Sequence, residues 1–526
     1  MILLMPMIQR GFILILLVFS IMVEGAKAQE KSGSRVEILQ SKVILKSQNQ
    51  PDVQRLIGDV VLGYEEARLY CDSAWRFSDG RFRTMGGVRL VDGTQSLTAS
   101  EIELDPNQKM AAAVGNEQAM VDLSSGIGLV RSPRLRYDLQ NKVIQFPVGG
   151  TMEEGRRSLN FQKGIYRLNS SLLELGGDVA LRDDNFLVVS DSLHWREKAE
   201  QLIFHGPSHL QSTDTSLELW CHRGVYEDRS TSGWFGGGID SELGFQRARV
   251  RQDYVWLEAD SLVLSADSIL PDEAWRNIRI RDTLNQASIY GHQAFRWDLS
   301  NSEERIWVTG TSENRVWYEN TSESDTLWFV ADTMNLERGT TKMWPQVIFL
   351  QGQAAALCDT LRWIDSTGWV QLVHEPEMWM DGWYLRSDSL EWWMEDQHPK
   401  ELEAWGHAGL MKAVSDSCFQ QIAGREFSGI FRDHSLEKLL INGNAEAIYY
   451  DEDSPEPCKE FNQSVCSRMR IDFEKGEVKG IALLERPEGI WRSSPNPTSI
   501  GGLVWRNKPD LNFPINLLFE RANLWE

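Results

Sequence analysis

The stretch “SDSLHW” (Ser190–Trp195) carries the pattern that decides the fold, because near-copies of it recur along the chain. The copies are “CDSAW” at Cys71–Trp75, “CDTLRW” at Cys358–Trp363 and “SDSLEW” at Ser387–Trp392. Each contains an Asp followed by a residue with a hydroxyl group. Pairs repeated this often cannot all be active sites, so the pattern favours a structural role over catalysis.

The spacing of apolar residues changes at the Asp. In the first copy Val188 lies three residues before Asp191, whereas Leu193 and Trp195 lie two and four residues after it. Apolar positions thus fall on odd offsets before the Asp and on even offsets after it. Because side chains alternate across a strand, a regular strand cannot keep one face inward through such a change. The pattern predicts a bulge or corner at the Asp-Ser step, where short polar side chains hydrogen-bond backbone groups that the sheet leaves unpaired.

The copies repeat with a period near thirty residues. The Asp or its equivalent falls at Asp72, Ser100, Asp191, Asp260, Asp332, Asp359 and Asp388, and the long gap between Asp260 and Asp332 has room for one eroded copy. The other half of each period opens on a Gly, as in “GDV” at Gly58–Val60. Short strand-like runs separated by turn residues predict an all-β chain, a quasi-one-dimensional array of repeated strand pairs. With one rung per period, about 16 rungs would give an array on the order of 75 Å long.

Composition narrows the class of partner. The chain has 526 residues, of which 54 are basic and 76 acidic, giving a net charge of −22. This excess of carboxylates disfavours nucleic acid as a partner. The nine His residues form no zinc-binding set, so we predict no enzyme activity, no cofactor and no metal. Six cysteines are too few for a disulfide scaffold, although Cys458 and Cys466 are close enough in sequence to pair.

The N-terminal sequence has the pattern of a signal peptide and predicts that the protein is exported. The apolar run “GFILILLVFSIMV” (Gly11–Val23) is followed by Ala26 and Ala28, which fit a signal-peptide cleavage site, so residues 1–28 are expected to be removed. We expect β-jellyroll repeats over residues 29–250 and further repeats over 251–486. The Pro- and Gly-containing tail, residues 487–526, is expected to begin with a linker and to cover an edge or to recruit a partner.

Four segments together resemble the LptA/OstA family of periplasmic lipopolysaccharide-transport proteins. They are “GDVVL…LYCDSAW” (58–75), “GGVRL…LTASEIEL” (86–104), “GDVALRDDNFLVVSDSLHW” (177–195) and “WLEADSLVL” (256–264). The resemblance, closest to long OstA-like proteins of Bacteroidetes type, implies an elongated, V-shaped antiparallel β-jellyroll, the β-taco, whose apolar interior holds the acyl chains of lipid A. It also implies a location in the periplasm, with possible association with the outer membrane. Its open sheet edges would pair with other Lpt-type bridge or outer-membrane components.

Residues at odd offsets before the Asp and at even offsets after it, together with the apolar residues that follow the Gly of the other half-period, are expected to point inward and to line the lipid-binding interior. They are Val60, Leu62, Val88, Leu90, Val179, Leu181, Leu257, Leu262, Phe329, Met334, Leu385 and Leu390. Ordinary core packing remains an alternative role for each of them.

Two other interpretations of the sequence stay open. An exported β-repeat protein could bind polysaccharide or a cell-surface partner through exposed Trp379, Trp383, Trp392 and Trp393, because aromatic faces stack on sugars. The Asp-Ser/Thr steps also resemble a bacterial O-glycosylation acceptor, a modification that a structural corner would not require.

Overall fold

The structure is a computed structural model that describes residues 35–509, apart from 48–49, 117–120, 126–127, 185, 214–215, 228–229, 231, 241–243, 265–270, 300–302, 322–325, 338, 396–397, 433–434, 451–457 and 494–498. The predicted signal peptide, residues 1–28, lies outside the described residues. Within these ranges no helix is long and apolar enough to cross a membrane.

Nearly all of the described chain is β-strand. The strands up to residue 264 are Glu37–Gln40, Val43–Ser47, Gln50–Tyr64, Ala67–Phe77, Phe82–Asp92, Gln95–Asp105, Met110–Val114, Val121–Ser125, Gly128–Ser132, Arg134–Asp138, Val143–Phe146, Gly150–Glu154, Arg157–Phe161, Lys163–Arg167, Leu172–Arg182, Phe186–Arg196, Gln201–Ser212, Glu218–Glu227, Ser232–Gly236, Gly238–Asp240, Gly244–Gln246, Ala248–Gln252, Val255–Ala259 and Ser261–Leu264. Two short 3₁₀ helices lie among them, Leu168–Ser170 and Glu197–Ala199.

The strands beyond residue 264 follow the same scheme. They are Glu273–Asp282, Ala287–Leu299, Glu303–Thr309, Val316–Thr321, Thr326–Ala331, Thr333–Glu337, Thr340–Trp344, Val347–Gln351, Ala354–Cys358, Thr360–Ile364, Trp369–Val373, Glu377–Met380, Trp383–Arg386, Ser389–Glu395, His398–Ala413, Phe419–Arg432, Ser435–Tyr450, Glu460–Glu474, Glu477–Leu484 and Glu488–Ser493. One 3₁₀ helix, Asp365–Thr367, joins two of them. The pairings between them are antiparallel, which confirms the predicted all-β fold of repeated strand pairs.

All strands except the hairpin of Gly238–Asp240 and Gly244–Gln246 belong to one hydrogen-bonded sheet. Each rung of this sheet bends at a corner and so contributes one half-strand to each of two layers, which we call two sheets. Phe186–Arg196 shows the arrangement: its first half, to Ser190, belongs to one sheet, here called sheet A, and its second half, from Ser192, belongs to the other, sheet B. Its pairing with Gln201–Ser212 shifts register between Ser190 and Ser192, where Ser190 is opposite Ser208 and Ser192 is opposite His205. The predicted bulge at the Asp-Ser step is therefore present.

The residues beside the Asp make the local hydrogen bonds of the corner. The Ser190 hydroxyl donates to the Ser192 carbonyl at 2.9 Å, and the Ser192 hydroxyl donates to the Leu175 carbonyl at 3.0 Å. Asp191 itself is exposed on the outer side of the corner. Ser387 and Ser389 repeat this pair of bonds at 2.9 and 3.5 Å. The small residue before the Asp is thus as important for the corner as the hydroxyl residue after it.

The chain returns from sheet B to sheet A through a second type of corner. At Gly177 and Asp178 two successive residues have positive φ, 74° and 48°. Arg276 and Asn277 adopt the same conformation at 62° and 50° without glycine. The Asp copies therefore mark only every second corner, and the prediction of one rung per period is wrong: each period holds two rungs, one in each direction. The eroded copy between Asp260 and Asp332 is the corner at His292, between the half-strands that end at Gly291 and begin at Gln293.

One apolar core fills the space between the two sheets. It extends without interruption from Leu56 to Phe473 and takes its members from the inward positions of both sheets. The proposed boundary at residues 250 and 251 falls inside strand Ala248–Gln252, which pairs with a strand on each side. The division of the repeats at that point stays a prediction.

The C-terminal region differs from the expected linker. Glu488–Ser493 is a strand that pairs with Glu460–Glu474, so the sheet continues into the predicted tail. Residues 499–509 then cross the outer face of sheet A, where Trp379 donates to the Arg506 carbonyl at 2.9 Å. The described part of the tail thus pairs along a sheet edge with Glu488–Ser493 and covers a sheet face with residues 499–509.

The disulfide also differs from the pairing considered above. Cys418 bonds to Cys458 across 40 residues, whereas Cys466 is a free, buried residue in strand Glu460–Glu474. Cys466 occupies the position before a corner, as do Cys71, Cys221 and Cys358. All four free cysteines therefore serve as the small residue of a corner.

Candidate functional site: the interior between the sheets

The residues expected to line the interior lie together in it. Eleven of the twelve, all except Leu257, are buried members of the core, and Leu257 is partly buried against it. Sheet A supplies Val60, Leu62, Val88, Leu90, Val179, Leu181, Leu257, Phe329 and Leu385, whereas sheet B supplies Leu262, Met334 and Leu390. Their role in lipid binding stays a prediction.

The interior is filled by side chains. One cavity, lined by residues such as Leu385, Leu402 and Phe427, has a volume of about 30 Å³, and another near Leu181 and Leu202 has about 20 Å³. Such cavities hold one or two water molecules, not an alkyl chain. An acyl chain therefore enters this interior only if the two sheets move apart.

The sheets meet at the corners, so they would separate at their opposite margins, here called the mouth. Near the N-terminal end a polar bridge crosses the mouth. The Tyr137 hydroxyl of sheet B donates to the Asp92 carboxylate of sheet A at 2.5 Å, and the Lys142 ammonium lies 2.6 Å from the same oxygen. Burial, reinforced by the hydrogen bond and the charge of Asp92, raises the pKa of Tyr137 above its usual range. The bridge is therefore a neutral phenol and a cation sharing one buried carboxylate.

A second bridge crosses the mouth near the C-terminal end. The indole N–H of Trp383, on sheet A, donates to the Gly476 carbonyl in a turn of sheet B at 2.8 Å. Lys412 pairs with Glu477 beside it. Burial raises the pKa of the neighbouring Asp381. The two ends of the described array are thus held closed by hydrogen bonds and ion pairs across the mouth.

Between the two bridges aromatic side chains make contacts across the mouth. The Arg157 guanidinium lies 5.2 Å from the centre of the Trp195 ring, and Phe186 meets Tyr226 edge to face at 5.7 Å. Farther along, a cleft of about 560 Å³ opens between Leu327 of sheet A and Trp363 and Met394 of sheet B. The mouth is therefore open at this cleft.

Charged groups lie on the corners, outside the interior. Arg315 pairs with Asp332 at 2.7 Å, and Arg247 pairs with Asp260 at 3.3 Å. Burial lowers the pKa of Arg247, against the influence of Asp260. These two corner Asp residues thus pair with side chains of adjacent corners, outside the apolar interior.

The free cysteines of the corners are expected to have low reactivity. Burial raises the pKa of the Cys71 thiol to about 11 and that of Cys221 to about 12. Thiols with such values are protonated at neutral pH and react slowly, because the thiolate is the nucleophile. In the part of the chain that the structure describes, no group of three or more His, Cys, Asp or Glu residues could hold a metal ion.

The Trp residues proposed for polysaccharide binding are not exposed as expected. Trp379, Trp383 and Trp392 retain 5%, 5% and 1% of their accessible surface, and Trp393 is half-buried. Trp383 and Trp392 point into the interior, whereas Trp379 points outward and is covered by residues 499–509. For Trp379 the prediction failed because alternation along a strand does not reveal a segment that packs on the outer face from far away in sequence, whereas Trp383 and Trp392 lie on the inward parity of their half-strands.

Two groups of residues were missed from the sequence. The polar bridge of Asp92, Tyr137 and Lys142 joins separate turns, and no local pattern marks it. The aromatic residues Tyr318, Phe349, Trp363 and Trp392 were open to prediction, because each lies on the inward parity of its half-strand.

The fold and its interior define a class: an all-β protein whose sheet bends repeatedly at corners and encloses a continuous apolar space. The model of the OstA-like protein family matches residues 33–191. The resemblance to this family is confirmed for that part of the chain.

A comparison with solved structures adds a distant similarity. LptH from Pseudomonas aeruginosa, described as the LptA-homologous periplasmic component of the conserved lipopolysaccharide transport device, is similar over 21% of this chain and 80% of its own, at 12% identity and a TM-score of 0.19. A comparison with curated proteins found no match.

Proposed function

We propose that this chain is a periplasmic protein of lipopolysaccharide transport, of the LptA/OstA type, which shields lipid acyl chains between its two sheets. The observation that carries the proposal is the continuous apolar interior between the two sheets, which extends from Leu56 to Phe473. The OstA-like match over residues 33–191 supports the same assignment. Export by residues 1–28, a periplasmic location and an association with the outer membrane belong to the proposal.

The energetics favour an apolar ligand. Each CH₂ group transferred from water to the interior contributes about 0.8 kcal/mol. The opposing cost is the separation of packed side chains such as Phe329 and Leu390. A lipid with several long chains offsets that cost more easily than a lipid with one.

The exposed ends of the array would bind protein partners. At the N-terminal end Val43, Ile44 and Leu45 each expose close to half of their surface, and at the C-terminal end Ile490 and Trp491 expose 56% and 64%. An open strand edge with apolar side chains is a template for a further strand. These edges would join other Lpt-type bridge or outer-membrane components.

Photo-crosslinking tests the lipid-binding role. A benzophenone amino acid is placed at Leu262 or Met334, which point inward, and at Val189, which is 47% exposed on the outer face, as the control. With purified lipopolysaccharide we expect cross-links from the two inward positions and none from Val189. Equal labelling at all three positions, or labelling at Val189 alone, would refute binding in the interior.

Depletion in the source organism tests the transport role. We expect loss of lipopolysaccharide from the cell surface when the chain is removed. Unchanged surface display would contradict transport while leaving lipid binding open to the cross-linking result.

A further inference from the structure

The cleft in the middle of the mouth has the size of a ligand site. Its volume is about 560 Å³, and it is lined by Leu327 of sheet A and by Trp363, Thr367, Met394 and Lys400 of sheet B. Small-molecule sites occupy roughly 300–1,000 Å³ and combine apolar walls with a few polar groups. The cleft is therefore large enough for part of a lipid, unlike the small cavities of the closed interior.

Aromatic side chains lie beneath the cleft and connect it to the interior. The Trp363 ring lies 5.7 Å from Tyr318 and 5.6 Å from Phe329, measured between ring centres. Phe349 lies 5.5 Å from Phe329 and 5.3 Å from Trp392. These five residues, the aromatic cluster, span both sheets and form a continuous path from Trp363 along the interior to Trp392.

Two donors in this cluster have no acceptor. The indole nitrogens of Trp363 and Trp392 are buried, and neither has a hydrogen-bond partner among the described residues. A buried donor without a partner normally costs stability, so such groups are rare and often functional. Trp363 pairs with Val370, which pairs with Trp392, so the two indoles lie two strands apart, about 9–10 Å. A ligand passing along the cluster meets both donors in turn.

The charges at the rim narrow the chemistry of the ligand. Lys400 lies 2.9 Å from Glu395, and Glu401 adds a second carboxylate. The cation is therefore already paired, and the net charge of these three groups disfavours a phosphate in the cleft. An uncharged oxygen acceptor on an apolar chain matches the two indole N–H groups better.

We propose that the cleft is the port through which an acyl chain enters the interior, and that the ester or amide carbonyl of that chain accepts a hydrogen bond first from Trp363 and then, farther along, from Trp392. The inference rests on the proposed lipid-binding function and adds its point of entry and its specificity. As the chain separates Trp363 from Tyr318 and Phe329, the indole N–H turns to the carbonyl. The unpaired donors thus distinguish acyl chains from alkyl chains that lack a carbonyl.

Two neutral probes that differ in one carbonyl test the inference. Monohexadecanoyl glycerol has an ester, and its hexadecyl ether analogue has the same chain without the carbonyl. Both are competed against the fluorophore N-phenyl-1-naphthylamine on the full chain and on the variants W363F and W392F. Trp275→Phe, at an outward position that is 38% exposed, is the matched control.

We expect the full chain to bind the ester about five- to tenfold more tightly than the ether, as one hydrogen bond predicts. In the variant that lacks the donor to the bound carbonyl, W363F or W392F, the preference should fall to about twofold or less, whereas W275F should keep it. Equal affinity of the unmodified chain for both probes, or an unchanged preference in both interior variants, would overturn the inference and leave the proposed function standing. Failure of both probes to bind would count against the proposed function as well.

Cross-linking provides a test that does not depend on removing an indole. A benzophenone amino acid at Met394, in the cleft, is compared with one at Leu202, near the mouth but away from the cleft. Early labelling of the ester probe at Met394, before labelling at Leu390 inside, supports entry through the cleft. Labelling at Leu202 first would place the port elsewhere.

Discussion

An ideal Cβ atom at Gly406 would lie 2.2 Å from Oδ2 of Asp388, so these two residues occupy adjacent corners with no space between them. The Asp388 backbone N–H donates to the carbonyls of Trp405 and Gly406 at 3.0 and 2.9 Å. The Gly that opens one half of a period and the Asp that marks the other half are thus packed against each other. The same approach recurs at Gly86, where a Cβ would lie 2.5 Å from Asp72.

The substitution G406A should destabilise the chain through this contact. Gly406 has a φ of 70°, and Gly382 has a φ of 80° with nothing near a Cβ, so G382A is the matched control for backbone strain. We expect G382A to lower the free energy of unfolding by about 1 kcal/mol and G406A by about 1–3 kcal/mol more. Urea denaturation measures both.

A double mutant identifies the partner in this contact. Removal of the Asp388 side chain in D388A/G406A should recover most of the excess cost, so the two substitutions should not be additive. Additive effects, or equal losses in G406A and G382A, would show that the corners are not tightly packed.

The second prediction concerns the size of the residue before each corner Asp and its effect on stability. Ser190 is 2% exposed, and its hydroxyl lies 2.7 Å from that of Ser208. We expect S190A to cost about 1 kcal/mol for the lost hydrogen bonds. S190L should cost about 1–3 kcal/mol more because no space exists for the larger side chain.

Cysteine is the control at this position, because four corners already use it. Cys466 donates to the Arg468 carbonyl at 2.9 Å, as Ser190 does to that of Ser192. S190C should therefore be much closer to the unmodified chain than S190L in chemical denaturation. Equal stability of S190C and S190L would contradict the requirement for a small residue.

The corners could be predicted because the sequence pattern that marks them is local. The number of rungs, the disulfide and the cover over Trp379 could not, and each for a physical reason. The shift of parity around Asp191 requires a bulge whatever the tertiary structure. The count of rungs was wrong because the return corner at Gly177 and Asp178 depends on two left-handed residues, and Arg276 with Asn277 meets that requirement without the marker Gly. The partner of Cys458 and the cover over Trp379 depend on segments distant in sequence. A repeat pattern contains no information about such contacts.

Because of the bridge between Tyr137 and Asp92, we expect the free energy of unfolding to depend on pH in the alkaline range. Because the pKa of Tyr137 is raised in the folded chain, the folded state keeps this proton above pH 10 while the unfolded state loses it. The stability that Tyr137 contributes is therefore complete below about pH 10 and decreases as the pH rises above it. We expect Y137F to be less stable by about 1–2 kcal/mol at pH 7, with the difference narrowing above pH 10.

The control for this titration is Tyr254, which is 58% exposed. Y254F should match the unmodified chain throughout a series of urea denaturations from pH 7 to pH 11. A difference between Y137F and the unmodified chain that stays constant over this range would refute the buried bridge.

The cover on the outer face of sheet A gives the last prediction. The Trp505 ring stacks on Phe419 with 5.2 Å between ring centres and meets Tyr384 at 5.9 Å, whereas its neighbour Val504 is 62% exposed. W505A removes these contacts and uncovers the outward-facing Trp379, so it should lower the free energy of unfolding by about 2 kcal/mol, while V504A should leave it within about 0.5 kcal/mol. The uncovered indole should also become accessible to acrylamide, which quenches tryptophan fluorescence. If W505A and V504A have the same stability, residues 499–509 do not hold this face, and Trp379 is free to bind a partner of its own.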